Sequence, residues 1–122
     1  TELNDRTESL VIRRSLGSRA HRVSVSGTKP FHGHALGASG AIEAAIACLS
    51  ITDGWVPATL NLDTPGEGCD LDYVMDEVGG ARADGTRPSS GREGRVDVAL
   101  SNSFGFGGIN AVLCLTSREV GA

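Results

Sequence analysis

The sequence predicts a fold that contains both α-helices and β-strands, in which one apolar helix is buried among the other elements. The segment 36–51 is apolar on nearly every side, and such a helix must be enclosed by other elements. Two β-type runs, 96–100 and 111–115, supply strands for the sheet. With 122 residues, of which 39% are hydrophobic, the chain predicts one globular piece rather than two full domains.

Capping and turn signals define the first elements of the chain. Residues 4–16 predict a helix that Asn4 or Asp5 caps and that Gly17 ends. The alternation of apolar and polar residues in 22–26 predicts a short strand that leads into a loop.

Glycine and proline define the rest of the chain. Gly54 is expected to close the apolar helix, and the turn-rich segment 55–73 is expected to be an ordered connection with little regular structure. Segment 79–94 has no apolar period and predicts a flexible surface insertion. The two β-type runs flank a loop at 102–110, which predicts adjacent antiparallel strands.

Charge, hydropathy and cysteine content exclude several functional classes. A formal net charge of −4 offers no general attraction to phosphate backbones, so nucleic acid is not an expected partner. No uninterrupted apolar run reaches the roughly 18–20 residues of a membrane span, and the first residues lack a leader pattern, so we expect a cytoplasmic protein without membrane contact. Three cysteines without CxxC spacing predict ordinary reduced thiols.

His34 is the main candidate for chemistry. It precedes the apolar helix, where free amides and the positive end of the helix dipole favour a neutral imidazole. A neutral imidazole donates one hydrogen bond, which stabilises negative charge that develops on a carbonyl oxygen. Lys29 and Glu43 are placed to pair and to hold the loop that carries His34. The alternatives are a structural histidine, an exposed lysine and an isolated carboxylate.

Two further motifs favour neither metal nor nucleotide binding. His32 and His34 form an HxH pair, but no acidic or thiol ligand follows at a usual spacing, so no metal is expected. The glycine-rich segment 103–108 leads into a strand, whereas a dinucleotide fingerprint opens a helix. The segment is typical either of a functional loop, with exposed backbone amides beside an aromatic ring that can move, or of an ordinary tight hairpin.

Three blocks together resemble the condensing enzymes, and they look like the C-terminal lobe of a type II elongating β-ketoacyl-acyl-carrier-protein synthase. These blocks are TKPFHGHALGASGAIE (28–43), PATLNLDTPGEGCDLDYV (57–74) and LSNSFGFGGIN (100–110). The resemblance implies an α/β, thiolase-like fold, of which residues 1–122 are most of the C-terminal half, with a mixed sheet, one buried helix and outer helices. It also implies that the chain begins just past the family's first catalytic histidine, and that this histidine and the nucleophilic cysteine lie outside the chain. We therefore expect the 122 residues alone to be unable to catalyse condensation.

The resemblance also assigns site residues. His34 matches the second catalytic histidine, Lys29 its lysine, and Glu43 the helix glutamate that pairs with the lysine. The amide of Phe106 would supply half of an oxyanion hole while its ring gates the acyl pocket. The residues expected to contact substrate are Thr1, Phe104, Gly105, Gly107 and Gly108. Neither His32 nor the length of segment 79–94 matches the family pattern. We expect His32 to have no role in the site.

The implied reaction is decarboxylative Claisen condensation of malonyl-acyl-carrier protein with an acyl thioester in fatty acid elongation, catalysed by an acyltransferase. No cofactor is implied, because the substrates are carried on the phosphopantetheine of the carrier protein. The implied partners are acyl carrier protein, the N-terminal half of the same synthase and a second copy in a homodimer. The alternatives are the lobe of a polyketide-type ketosynthase and a non-catalytic partner subunit of the chain-length-factor type.

Overall fold

Helices occupy most of the first half of the chain and strands the second half in a computed structural model that describes residues 2–76 and 90–117. The α-helices are α1 (Glu2–Leu16), α2 (Lys29–His32) and α3 (Ser39–Asp53). The strands are β1 (Ser24–Val25), β2 (Trp55–Pro57), β3 (Asp72–Tyr73), β4 (Gly91–Glu93), β5 (Val98–Phe104) and β6 (Asn110–Thr116). Two 3-10 helices, Gly17–Arg22 and Leu36–Ala38, complete the described elements. Thr1 and residues 77–89, which include most of the predicted insertion, lie outside the described residues.

The chain forms two compact units. One unit combines Thr1–Pro30 with Pro57–Gly91, and the other combines Phe31–Val56 with Arg92–Ala122. Both units therefore contain helical and extended segments drawn from separate parts of the sequence, as the predicted α/β class requires.

In the first unit, α1 packs beside a small parallel pair of strands. Strand β1 pairs with β3, with Ser24 opposite Asp72 and Val25 opposite Tyr73. The predicted helix does end before Gly17, which adopts a φ of +56°, a backbone conformation that suits glycine. Strand β1 is shorter than the predicted 22–26, because Arg22 still belongs to the preceding 3-10 helix.

In the second unit, α3 packs against a hairpin of β5 and β6. The two strands are antiparallel, as predicted, and their register runs from Val98 opposite Thr116 to Phe104 opposite Asn110. The predicted loop at 102–110 is wrong at both ends, because pairing extends the strands and leaves only residues 105–109 to connect them. The polar start of that segment is thus part of the sheet.

One face of this hairpin is partly covered by α3, which leaves Leu113 half exposed on that face, and the other face is open. Ser101 is buried, whereas Val98, Leu100 and Val112 are about half exposed. Alternating residues of a strand point to opposite faces, so the exposed set shares the face that α3 does not cover. An apolar sheet face of this kind belongs against a further layer of protein.

The predicted enclosure of the apolar helix does not occur within the described part of the chain. In α3 only Ser39 and Ser50 are buried, and Leu49 is 58% exposed. Residues 36–38 form a 3-10 turn instead of the expected first α-helical turn, because Leu36 has a φ of +48°. Leu36–Asp53 is long and apolar enough to cross a membrane by length and composition alone, a test that core helices of soluble proteins also pass.

The end of the predicted insertion is ordered backbone. Residues 91–93 form β4, which pairs with β2, although 79–94 was predicted to be a flexible surface segment. The amide of Gly94 donates a 2.9 Å hydrogen bond to the carbonyl of Gly54. Backbone pairing of this kind needs no apolar periodicity, which is why the sequence pattern did not indicate it.

Replacement of Gly54 by alanine is expected to destabilise the protein by about 1–2 kcal/mol. Gly54 ends α3 with a φ of +64°, and a Cβ at this position would lie 3.3 Å from the carbonyl oxygen of Gly94. Urea unfolding measures the change. The matched control is Gly37→Ala, because a Cβ at Gly37 meets no atom within 4 Å. Equal free energies of unfolding for the two variants would show that the conformation of Gly54 at the end of α3 does not require glycine.

Candidate functional site

His34 lies in the turn between α2 and α3, and its Nδ1 is the meeting point of two hydrogen bonds. The amide N–H of Leu36 donates to Nδ1 at 3.1 Å, and the hydroxyl of Ser39 lies 3.0 Å from the same atom. An N–H can donate only to a nitrogen with a free lone pair, so Nδ1 carries no proton and Ser39 also donates to it. The neutral ring then has its proton on Nε2.

The turn that creates this arrangement uses an unusual backbone conformation. Leu36 has a φ of +48°, in the left-handed region that residues with a Cβ rarely adopt. Such a conformation costs on the order of 1–3 kcal/mol and is typically found where the surrounding structure holds it for a function. Here it sets the direction in which the chain leaves Leu36, and therefore where Ser39 lies relative to the ring of His34.

The connection between β5 and β6 is a glycine-rich turn. The amide of Gly105 donates to the carbonyl of Ile109 at 2.7 Å, which closes the turn. Gly107 and Gly108 have φ values of +84° and +81°, which other residues adopt only with strain. The side chain of Phe106 is fully exposed, so no described residue packs on this ring.

A close contact brings the His34 turn and the glycine turn to the same end of α3. A Cβ on Gly40 would lie 3.4 Å from the Oγ of Ser103, so the first turn of α3 touches the end of β5. Gly40 directly follows Ser39, which holds the His34 ring, and Phe106 lies three residues beyond Ser103. Three residues span at most about 10 Å, so Phe106 stays close to this contact.

The family of the chain follows from its first half. Residues 1–63 match the model of the β-ketoacyl synthase C-terminal domain. The chain belongs to the β-ketoacyl synthase family. Its helices and strands accordingly form part of the thiolase-like, mixed α/β fold that the sequence predicted.

Similar proteins include condensing enzymes of two kinds. The 3-oxoacyl-acyl-carrier-protein synthase 2 of Coxiella burnetii is 42% identical over 95% of this chain and 25% of its own length. The synthase 2 of Synechocystis sp. is 46% identical over 98% of this chain and 26% of its own length. The tetracenomycin polyketide synthase ketoacyl synthase alpha subunit of Streptomyces glaucescens is 43% identical over 94% of this chain and 24% of its own length.

A solved structure shows the same backbone arrangement. That structure contains a type II PKS acyl-carrier protein in complex with its ketosynthase bound to the hexaketide. The matching chain superposes on this chain with a TM-score of 0.76 and is 34% identical to it in sequence. The match covers 92% of this chain and 24% of the solved chain. This β-ketoacyl synthase chain thus spans about a quarter of the length of the relatives that it matches.

For the other residues assigned from the resemblance, the structure gives the position and exposure of the side chain but not the predicted interaction. Lys29 starts α2 and is exposed, while Glu43 lies in α3, one turn after Ser39, and is half-buried. Their ion pair stays a prediction, and Thr1 lies outside the described residues. Phe104, the last residue of β5, is 46% exposed beside the glycine turn.

Two of the three cysteines, Cys48 in α3 and Cys114 in β6, are exposed in this β-ketoacyl synthase chain. The exposure of Cys48 follows from the missing cover of the apolar helix, which was expected to be enclosed. No layer among residues 2–76 and 90–117 covers the parts of α3 and β6 that carry them. In the same residues no group of three His, Cys, Asp or Glu side chains is arranged to hold a metal ion.

A cavity that the sequence did not indicate lies in the first unit. It has a volume of about 270 Å³, lies beside α1 and β3, and contains none of the predicted site residues. Ser9, Cys69 and Tyr73 are among its lining residues. These residues are far apart in sequence and form no motif, so only the fold brings them together.

The polar groups of this cavity form a short chain of hydrogen bonds. The hydroxyl of Ser9 donates to the carbonyl of Asp5 at 2.8 Å, so the hydroxyl of Tyr73, 2.6 Å away, donates to Ser9. Burial raises the pKa of Tyr73 above its ordinary value of 10.0; the nearby Cys69 acts in the same direction, and the hydrogen bond with Ser9 opposes both.

Tyr73 is expected to ionise at higher pH in the folded protein than in the unfolded chain. Because the pKa of Tyr73 is higher in the folded protein, this group's contribution to the free energy of unfolding is fully present below pH 10. The contribution is lost as pH rises from 10 through the folded pKa. Tyr73 is the single tyrosine of the chain, so phenolate absorbance reports on it alone. Identical absorbance titrations with and without denaturant would show that burial has no effect on this group.

Proposed function

We propose that this chain is the C-terminal part of a 3-oxoacyl-acyl-carrier-protein synthase that elongates fatty acids. The reaction is the decarboxylative condensation of malonyl-acyl-carrier protein with an acyl thioester. The observation that carries the proposal is the pair of donors on Nδ1 of His34, which leaves Nε2–H as the hydrogen that the neutral ring can offer to a substrate.

The first step assigned to this chain is decarboxylation of the malonyl thioester. The bond from the α carbon to the carboxylate breaks, carbon dioxide leaves, and the electron pair moves into an enolate whose charge lies on the thioester oxygen. The Nε2–H of His34 donates a hydrogen bond to that oxygen as the charge develops. A preorganised donor of this kind lowers the barrier by about 3–4 kcal/mol.

The second step joins the carbon atoms. The enolate carbon attacks the carbonyl of an acyl group held on a cysteine thiol in the remainder of the synthase. The carbonyl oxygen takes up the negative charge, and the amide of Phe106 stabilises it by a hydrogen bond. The oxyanion then collapses, the cysteine thiolate leaves, and the lengthened chain remains on the carrier protein.

The glycine turn supports the proposed role of Phe106. Its ring is fully exposed and stands between glycines, so it is free to cover or uncover an acyl chain without displacing a packed neighbour. Gly105, Gly107 and Gly108 allow the backbone to approach the substrate. Phe104 contributes an apolar wall, and Thr1 binds the pantetheine arm.

Lys29 and Glu43 complete the proposed site. Their ion pair positions the turn that carries His34 and adjusts the local electrostatic potential. The reaction needs no added cofactor, since the substrates arrive on phosphopantetheine, and a cytoplasmic location fits soluble carrier-bound substrates.

The proposed partners follow from the reaction and from the relatives. Acyl carrier protein delivers the malonyl group, which is supported by a similar ketosynthase that was solved in complex with its acyl-carrier protein. The remaining part of the synthase supplies the nucleophilic cysteine and the first histidine, and two synthase subunits form a homodimer. Product analysis of the complete synthase separates fatty acid elongation from polyketide assembly, since only elongation yields singly extended 3-oxoacyl products from saturated acyl primers.

The complete synthase with His34→Ala is expected to lose malonyl decarboxylation by about 100- to 1,000-fold, because one oxyanion donor is removed. Transfer of the acyl group to the cysteine should persist. Release of carbon dioxide from malonyl-acyl-carrier protein and mass spectrometry of the acylated synthase measure the two steps separately.

The matched control is His32→Ala, which removes the other histidine of the HxH pair. This variant should keep decarboxylation within about twofold of the wild type, as expected for a surface substitution. Full decarboxylation by His34→Ala, or an equal loss in both variants, would contradict the proposed role of His34.

A further inference from the structure

We propose that Ser39 is a positioning residue for His34: its hydroxyl hydrogen bond to Nδ1 holds the ring with Nε2–H directed to the substrate. The inference rests on the proposed function, since it concerns how His34 is oriented for decarboxylation. No motif in the sequence assigned a role to Ser39.

The hydrogen-bond accounting shows why Ser39 is a donor. The Leu36 N–H donates to the single lone pair of Nδ1 at 3.1 Å, so this nitrogen is an acceptor, and the Ser39 hydroxyl shares the same lone pair. Protonation of Nδ1 would place two N–H groups against each other. The 3.0 Å contact between Ser39 Oγ and Nδ1 is therefore an O–H donated to the ring.

The position of Ser39 in the helix makes this bond specific. Serine near a helix start usually caps the free amides, but the capping residue here is Ala38, which makes no side-chain hydrogen bond. Ser39 is the first residue of α3, and its residue surface is only 6% exposed. Solvent therefore competes weakly for the hydroxyl, and the hydrogen bond with His34 satisfies it.

The two donors have different consequences for the ring. A half-turn of the imidazole would place a carbon atom against both the Leu36 N–H and the Ser39 hydroxyl, and both hydrogen bonds would be lost. Each hydrogen bond therefore helps to keep the productive orientation. Removal of the Ser39 hydroxyl leaves the Leu36 bond in place, so we expect a partial loss of function rather than the large loss of His34→Ala.

The first test is spectroscopic and does not depend on catalysis. In the complete synthase with ¹⁵N-labelled histidine, the His34 signals are assigned by comparison with His34→Asn. We expect an unprotonated Nδ1 and a protonated Nε2. In Ser39→Ala the Nδ1 resonance should move toward the position of a nitrogen that accepts fewer hydrogen bonds. A proton on Nδ1 in the wild type, or an unchanged resonance in Ser39→Ala, would overturn the proposal.

The second test is kinetic. Ser39→Ala should lower kcat of malonyl decarboxylation about three- to tenfold, which corresponds to one ordinary hydrogen bond, with KM unchanged. Ser39→Thr, which keeps the hydroxyl, should recover activity. The matched control is Ser50→Ala, because Ser50 is also buried in α3 but lies at the other end of the helix.

The outcomes separate the two proposals. A wild-type synthase that does not decarboxylate malonyl-acyl-carrier protein contradicts the proposed function, whatever the spectra show. An active wild type in which Ser39→Ala and Ser50→Ala have the same kcat contradicts the role of Ser39 alone. Poor folding of Ser39→Thr leaves the proposal open to refutation through the wild-type and Ser39→Ala spectra.

Discussion

The geometry of the site depends on the convergence of two hydrogen-bond donors on one nitrogen of His34. One donor is the backbone N–H of Leu36 and the other is the hydroxyl of Ser39. Amides at the start of a helix have no partner within the helix, and this turn uses such a group to orient an imidazole. The left-handed conformation of Leu36 is the local cost of the turn that brings Ser39 to the same ring.

The exposed apolar surfaces of α3 and of the β5–β6 hairpin agree with the size of the relatives. The chain spans about a quarter of their length, and Leu49, Leu100 and Val112 are each more than half exposed. Burial of an apolar side chain of this size contributes about 1.5–3 kcal/mol. The stability of these elements therefore depends on protein that packs over them.

The sequence predicted the fold where single residues decide the backbone, and it failed where pairing or distant contacts decide it. Gly17 and Gly54 ended their helices because both adopt positive φ values. The ends of β5 and β6 were misplaced because inter-strand hydrogen bonds, rather than residue preference, extend them over Ser103 and Phe104. The apolar composition of α3 predicted that other elements pack around it. Composition does not indicate which part of a protein those elements belong to.

The same distinction applies to the site. His34 and the glycine turn were identifiable because their motifs are local and because they resemble a known family. The bond from Ser39 to His34 was not, since it bridges five residues through an irregular turn that has no periodic pattern. The cavity beside Tyr73 was missed for a related reason, because its lining is assembled from α1, β3 and the segment between β2 and β3.

The contact between Gly40 and Ser103 couples two positions that are distant in sequence. A Cβ at Gly40 would already be in van der Waals contact with the Oγ of Ser103, so alanine fits at position 40 and a side chain that extends further toward Ser103 does not. A relative that keeps this backbone and carries such a side chain must make room at position 103. Bulky substitutions at position 40 should therefore occur together with a smaller residue at position 103, and introduction of the bulky residue alone should displace the turn that follows β5.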